Sequence, residues 1–175
     1  MELEELIKDC SVKQKKGLHF ILSSVFIWGI ILCVHLSPMN IEQKNMFTFC
    51  GAAFLFPLAW MFSKLLNIDF QNKDNPLMKA GILFSVNQIL YILIAMWVFS
   101  AVPEKMLMVY TMIFGAHLMP FSWLYSSKSY FILSIVIPIL SLVIGHLSPP
   151  YVLAAIMVFM EMLFSVCLYL ECRKL

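Results

Sequence analysis

The fold is decided by stretches such as residues 110–125, YTMIFGAHLMPFSWLY, which contain no acidic side chain, lysine or arginine. At 1.5 Å per residue, a helix of this stretch is about 24 Å long, which is most of the hydrocarbon thickness of a bilayer. One histidine, His117, lies near its middle. Because the apolar residues are continuous and leave no polar face, the stretch predicts a helix that crosses a membrane.

A similar pattern of residues occurs earlier in the chain, as FTFCGAAFLFPLAWMF at residues 47–62. In both copies a proline precedes a tryptophan at P-x-x-W spacing, Pro57 with Trp60 and Pro120 with Trp123. Shorter echoes are found at residues 17–20 and 81–84, and at residues 20–23 and 131–134. The echoes predict three helical hairpins, with an internal repeat that relates spans 1 and 2 to spans 3 and 4. Chance similarity between apolar helices is the alternative.

Composition extends this interpretation to the whole chain, since 62% of the 175 residues are hydrophobic and only 13% are charged. Soluble domains are about half apolar and about a quarter charged. A crossing helix needs about 20 apolar residues, and six runs near that length cover roughly residues 18–37, 46–65, 78–102, 106–125, 130–147 and 151–171. None alternates with period two, as barrel strands do. The sequence therefore predicts an all-α polytopic membrane protein, with residues 1–175 forming a single transmembrane domain of six helices.

The basic residues predict the orientation of the spans. Ten of the 12 lysines and arginines fall on one side of the predicted membrane, and only Lys44 and Lys105 fall on the other. Because positively charged loops face the cytoplasm, we expect both termini to be cytoplasmic. The lipid bilayer is then the main partner. No basic face stands free of the membrane, which argues against nucleic-acid binding.

Residues 1–16 precede the first span and predict a short amphipathic helix on the cytoplasmic side. Leu3, Leu6, Ile7 and Cys10 fall on one face of this helix. Acidic residues come first and lysines later, an order that suits the helix dipole. Two interpretations stay open. The helix lies on the membrane surface, or it is a solvated cap on the first span.

Glu161 is the most informative polar residue, because it lies in the middle of the sixth run. An ionised acid at the centre of a span costs about 2.5–3.5 kcal/mol on insertion scales, so this side chain needs a partner or water. His117 lies at a comparable depth in the fourth span. A Glu–His pair at that depth is typical of a proton relay or a cation site. The alternative is a protonated glutamate that holds two helices together, worth about 1 kcal/mol.

Asn87 and Gln88 lie in the first half of the third predicted span. Because consecutive helical residues point about 100° apart, only one of them can face a given partner squarely. Hydrogen bonding between helices is the first interpretation, and contact with a substrate is the second. With Glu161 and His117, they complete the set of candidate substrate- or proton-binding residues.

His35 and His146 fall near the outer ends of their predicted spans, with Glu104 in a nearby outer loop, and the three are weak candidates for metal ligands. Their spacing follows no metal-binding motif, and histidines exposed at the membrane interface are the alternative interpretation. The chain has no Gly-rich phosphate loop, no G-x-S-x-G and no H-E-x-x-H. The sequence therefore predicts no cofactor, favours a protein that is not an enzyme, and leaves any catalytic residue unknown.

Three segments carry a resemblance to a known family: KQKKGLHFILSSVFIW, NQILYILIAMWVFSAVPEKM and MVYTMIFGAHLMPFSWLY. The chain resembles a family of small, functionally uncharacterised, multi-span membrane proteins of Gram-positive bacteria. The similarity is most specific in AVPEKM and FGAHLMPFSWLY. It implies a bacterial plasma membrane. It brings no assigned reaction or ligand, so no functional residue is carried over.

These features favour transport or permeation of a small solute or ion, with a proton carried by Glu161 and His117. A second hypothesis is a small membrane-embedded enzyme that acts on lipid, with His35, His146 and Glu104 as metal ligands. A third is a non-catalytic partner or sensor subunit. A homo-oligomer or a complex with a membrane partner protein is compatible with each.

Overall fold

The computed structural model describes residues 2–175, and its regular elements are all helical. The helices are α1 (Leu3–Lys13), α2 (Leu18–Leu36), α3 (Ile41–Ala52), α4 (Leu55–Leu65), α5 (Met78–Ala101), α6 (Met106–Leu124), α7 (Lys128–Leu147) and α8 (Pro150–Cys172). A short left-handed turn at Lys15–Gly17 leads into α2, and a short 3₁₀ turn at Pro103–Lys105 leads into α6.

Six segments of the described chain are long and apolar enough to cross a membrane, which confirms the predicted six-span helical fold. The second segment, Ile41–Leu65, consists of two helices, because the chain turns at residues 53–54 between α3 and α4. Pro57 explains this break: it has no N–H to offer the carbonyl of Ala53, four residues earlier. Pro120 and Pro138, in contrast, lie inside continuous helices.

The spans pack in the order α5, α6, α7, α8, α2 and then α3 with α4. The two spans of each predicted hairpin do contact each other. The most extensive interfaces, however, join different hairpins, α6 to α7 and α2 to α8. The internal repeat therefore stays a prediction from the sequence, and the packing does not divide the bundle into three separate units.

The two ends of this row, α3 with α4 and α5, meet near the end of the bundle opposite the termini. The Asn45 side chain donates a hydrogen bond to the carbonyl of Pro103 at 2.8 Å. The Phe49 ring lies 6.3 Å from that of Phe99 and 5.9 Å from that of Tyr110. Spans two and three are therefore neighbours in sequence but touch over a limited region.

The interface between α6 and α7 depends on a residue without a side chain, Gly115. A Cβ added there would lie 2.6 Å from Cδ of Pro138 and 2.7 Å from Cγ2 of Ile137. Both of these neighbours are stiff side chains, so they cannot move aside easily. Gly115 thus permits the close helix approach that small residues give in membrane bundles.

We predict that Gly115→Ala lowers the free energy of unfolding by about 1–3 kcal/mol, because it overpacks this interface. The measurement is thermal or denaturant unfolding in detergent. Gly51→Ala is the matched control: Gly51 is also helical, and no atom lies within 4 Å of its added Cβ. Equal unfolding free energies for the two variants would contradict the packing argument.

The bundle has a polar end, formed by α1, residues 66–77, the turn at 125–127 and the C-terminus. Helix α1 docks there, with Cys10 and Ser11 buried. The Ser11 hydroxyl donates to the carbonyl of Tyr125 at 2.8 Å. Helix α1 therefore packs on the bundle through Cys10 and Ser11, and the contact of its exposed side with lipid or water stays a prediction.

Asp9 ties α1 to the connection between α4 and α5. Its carboxylate lies 2.8 Å from Nζ of Lys13 and accepts hydrogen bonds from the side chains of Asn72 at 3.0 Å and Asn75 at 2.9 Å. The hydrogen bond from Lys13 and those from the two asparagines lower the pKa of Asp9 to about 2. The exposed lysine pair contributes little to stability. The asparagine contacts join separate elements and therefore hold α1 in place.

The lowered pKa predicts how this docking depends on pH. The stabilisation from ionised Asp9 is present above the ordinary pKa of 3.8 and is lost as the pH falls from about 4 towards 2. At neutral pH, we expect Asp9→Asn to speed amide hydrogen exchange in α1, while the exposed Glu4→Gln leaves it unchanged. Equal exchange in wild type and Asp9→Asn would rule out this tie.

Candidate functional site

Glu161 lies at the centre of α8, 11 residues from Pro150 and 11 from Cys172. At 1.5 Å per residue, it is about 16 Å from either end of the helix. Its side chain is 0% exposed. It meets Ser24, at the interface of α8 with α2. Glu161 is therefore an acid enclosed by protein at the depth that the sequence predicts.

The hydroxyl of Ser24 contacts two acceptors. One is the carbonyl of Ile21, at 2.7 Å, and the other is Oε2 of Glu161. A serine hydroxyl has one proton and can donate only one of these hydrogen bonds fully. If Glu161 is protonated on Oε2, it donates to Ser24, and Ser24 donates to Ile21. The arrangement therefore fits the neutral acid, which also avoids an ionised carboxylate in an apolar interior.

The other carboxyl oxygen, Oε1 of Glu161, is buried and has no hydrogen-bond partner among residues 2–175. The backbone around it is satisfied, since the Ser165 hydroxyl donates to the carbonyl of Glu161 at 2.9 Å. One oxygen of the acid thus stays free to accept a hydrogen bond from a water or a substrate group.

His117 does not join Glu161 in this structure. Its Nδ1 pairs with the carbonyl of Phe114 in its own helix, and its ring packs between those of Phe114 and Phe121 at 5.4 Å and 5.9 Å. Helix α6 packs mainly against α5 and α7, whereas Glu161 faces α2. No hydrogen bond links the two side chains, so the relay pair expected from their depth is not assembled here.

His19 is a buried polar residue that is not among the candidate site residues predicted from the sequence. It is 0% exposed, and neither ring nitrogen has a hydrogen-bond partner in the described part of the chain. Its ring lies 4.4 Å from that of Phe20 and 5.4 Å from that of Phe70. The only feature of the sequence that could have indicated this buried residue is the position of a histidine in the first turn of a span. Its burial depends on Phe70, which belongs to the loop after α4.

Lys16, in the turn just before α2, and Glu171, near the end of α8, form a second polar contact between the first and last spans, at the polar end. Nζ of Lys16 lies 3.0 Å from Oε2 of Glu171, with the lysine side chain only 7% exposed. Glu171 also accepts from the hydroxyls of Ser127 at 2.7 Å and Ser129 at 2.6 Å. The sequence predicts Lys16 only as a positive charge that orients the spans, and its pairing with Glu171 is visible only in the structure.

An unusual backbone turn places Lys16 in that contact. Lys15, Lys16 and Gly17 all have positive φ, of 44°, 50° and 72°. This left-handed region is costly for lysine and easy for glycine. The Tyr130 hydroxyl supports the turn by donating to the carbonyl of Lys16 at 3.0 Å. The hydrogen bonds made by this segment offset the backbone strain.

Asn87 and Gln88 are both distant from this interface, on α5. Asn87 is exposed and Gln88 is partly buried. Neither side chain makes a hydrogen bond among residues 2–175. Helix α5 packs on α6 and not on α2 or α8, so the structure does not bring these amides to Glu161.

The three weak candidates for metal ligands, His35, His146 and Glu104, lie in different surroundings. His35 is buried, and its Nε2 lies 3.2 Å from the Thr48 hydroxyl. His146 and Glu104 are both exposed. Within the described residues, no group of three or more His, Cys, Asp or Glu side chains is placed to hold a metal ion.

A family model described as "Family of unknown function (DUF7010)" matches residues 3–171. The chain belongs to this family. Searches of curated proteins and of solved structures find no significant match. Membership in the DUF7010 family confirms that the chain belongs to a functionally uncharacterised family, and it assigns no activity to Glu161 or to any other residue.

We predict that Glu161 is protonated at neutral pH, because its contact with Ser24 fits a neutral acid. Infrared difference spectroscopy should detect the carbonyl stretch of a protonated carboxylic acid in the wild-type protein. Glu161→Gln should remove this band, and Glu104→Gln, which changes an exposed acid, should retain it. A wild-type spectrum without the band would show that Glu161 is ionised.

Proposed function

We propose that this protein moves a small solute or ion across a bacterial plasma membrane, with Glu161 as the group that binds and releases a proton. In this proposal both termini face the cytoplasm, as the distribution of lysine and arginine favours. The polar end is then the cytoplasmic end. An ionisable residue inside a span is commonly part of a proton or substrate pathway.

The hydrogen bonding of Glu161 carries this proposal. The acid is fully buried, its contact with Ser24 fits the protonated form, and Oε1 has no partner in the described chain. A group that cycles between protonated and ionised forms needs a different environment in each. The present environment suits the protonated form, and ionisation would require α2 and α8 to admit water or a cation.

In this proposal, the contact between Lys16 and Glu171 closes the path from the cytoplasm to Glu161. Glu171 follows Glu161 by 10 residues, which is about 15 Å along α8. The ion pair and the serines that bind Glu171 hold α2, α8 and the turn before α7 together. In the proposed cycle, separation of this pair opens the path from the cytoplasm to Glu161.

A structural role in a partner or sensor subunit is the second candidate. It is favoured by the complete burial of Glu161 and by its direct contact with the neighbouring helix, which is how polar residues hold membrane helices together. The lipid-modifying enzyme receives no such support, because His146 and Glu104 are exposed and His35 is engaged with Thr48.

The two candidates differ in whether protons cross the membrane, so the test uses the proton itself as the probe. Purified protein is reconstituted into liposomes, a potassium gradient with valinomycin sets the membrane potential, and an enclosed dye reports internal pH. We expect wild-type protein to raise proton flux several-fold above that of protein-free liposomes. Glu161→Gln should reduce the flux to nearly the protein-free rate, since the amide cannot carry a proton.

Glu104→Gln is the control, because it removes an acid that is exposed near the opposite end of the bundle. It should conduct as the wild type does. Both variants must unfold at the wild-type temperature, so that a loss of flux is not a loss of fold. Wild-type proton flux equal to that of protein-free liposomes would overturn the proposal that Glu161 carries protons across the membrane, and would favour the structural role.

A further inference from the structure

Helix α5 is the most exposed of the six spans, and it packs on α6 along one face only. That face includes Gly81, Phe84 and Ala95. A Cβ on Gly81 would lie 3.2 Å from Cδ2 of Leu124, the Phe84 ring is 5.8 Å from that of Phe121, and Ala95 is 0% exposed. At about 100° per residue, the opposite side of the helix points away from the bundle.

Five side chains form a regular seam along that outer side. Alternating steps of four and three residues connect Leu83, Asn87, Leu90, Ile94 and Trp97. Their mean step of about 3.5 residues is the spacing of helices that pack against each other in coiled coils. The four apolar members are between 51% and 68% exposed. No other part of the described chain covers this face.

Asn87 makes the seam more than an apolar surface. It lies nine residues from Met78, about 14 Å into the helix, which is within the hydrocarbon core. Its amide is exposed and makes no hydrogen bond within residues 2–175. A polar side chain facing lipid at that depth is unfavourable unless it finds a partner. The neighbouring Gln88, in contrast, is partly buried on the α6 side.

We propose that this seam is the interface of a homodimer, in which α5 of each copy packs against α5 of the other and the two Asn87 side chains hydrogen-bond. An asparagine amide both donates and accepts, so it is complementary to itself. Copies inserted in the same orientation have parallel α5 helices, and a two-fold axis between them brings each seam residue opposite its own counterpart. A second copy therefore supplies a partner for Asn87 at the correct depth.

The distribution of charge along α5 also favours a second copy of α5 as the partner of the seam. Beyond Lys79, α5 has no charged residue through Ala101, so two parallel copies bring no like charges together in the hydrocarbon. A polar residue at one seam position also fixes the register and number of packed helices. This inference does not depend on proton transport, because Glu161 faces α2 and not α5.

The first test is disulfide cross-linking of the full-length protein in native membranes. Cys33 and Cys50 are exposed, so both are replaced by alanine to reduce background. Leu90→Cys lies in the seam, and Ile89→Cys is its matched control, since both residues are 59% exposed and point about 100° apart. We expect mild oxidation to convert Leu90→Cys to a covalent dimer and to leave Ile89→Cys mostly monomeric.

The second test measures association of the protein in liposomes by energy transfer between labelled copies, as the lipid-to-protein ratio is varied. Asn87→Leu keeps the helix apolar but removes the amide, and should weaken association by roughly three- to twentyfold. Gln88→Leu is the control, because its side chain lies towards α6, and it should associate as the wild type does.

Three results would overturn the proposal. They are equal cross-linking of Leu90→Cys and Ile89→Cys, a wild-type protein that stays monomeric at every density, and unchanged association in Asn87→Leu. A Leu90→Cys protein that cross-links in cells only to a different polypeptide would also overturn it, because the seam would then belong to another partner.

Discussion

The fold depends on the contact between the first and last spans, α2 with the turn before it and α8, where two pairs of polar groups meet. Ser24 meets Glu161 near the midplane, and Lys16 meets Glu171 at the polar end. Lys16 lies in the turn just before α2 and Ser24 lies six residues after the first residue of α2, about 9 Å along the helix, while Glu161 and Glu171 are 10 residues apart on α8, about 15 Å. A slip of one helical turn, about 5.4 Å, would break both contacts at once. The pairs therefore fix the register in which the two helices pack.

This constraint explains why the bundle is not a set of independent hairpins. An apolar interface between membrane helices gains little from leaving lipid, because lipid tails are as apolar as the side chains. Small residues and polar contacts then decide which helices associate. Gly115 provides the close approach of α6 to α7, and Glu161 provides the polar contact of α8 with α2. Both of these interfaces join spans of different hairpins.

The six spans could be predicted from the sequence, because hydropathy and length are local properties of each run. The depth of Glu161 was equally readable, since it follows from its position within one run. The hydrogen-bond partner of each polar group could not be predicted from the sequence, because it depends on which helices face each other. Depth alone paired Glu161 with His117, whereas the packing gives it Ser24.

The same reasoning separates Asn87 from Gln88. Helical geometry predicts that the two side chains point about 100° apart, but it does not tell which one faces a neighbouring helix. The packing of α5 on α6 determines which one does: Gln88 is partly buried, and Asn87 points away from the bundle.

The contact of Lys16 with Glu171 could not be predicted for a different reason. A lysine just before a span is normally solvated, and only the left-handed turn at Lys15–Gly17 carries it into the interface with Glu171.

The unsatisfied polar atoms mark two separate places on α2 and α8. Among residues 2–175, five buried side-chain nitrogen or oxygen atoms have no hydrogen-bond partner, and three of them belong to His19 on α2 and Glu161 on α8. Buried polar groups in proteins are nearly always paired, so each exception needs a physical reason. The unpaired Oε1 of Glu161 lies where α8 meets α2, whereas His19 packs against Phe20 and Phe70, so the two exceptions have different surroundings and cannot share one explanation.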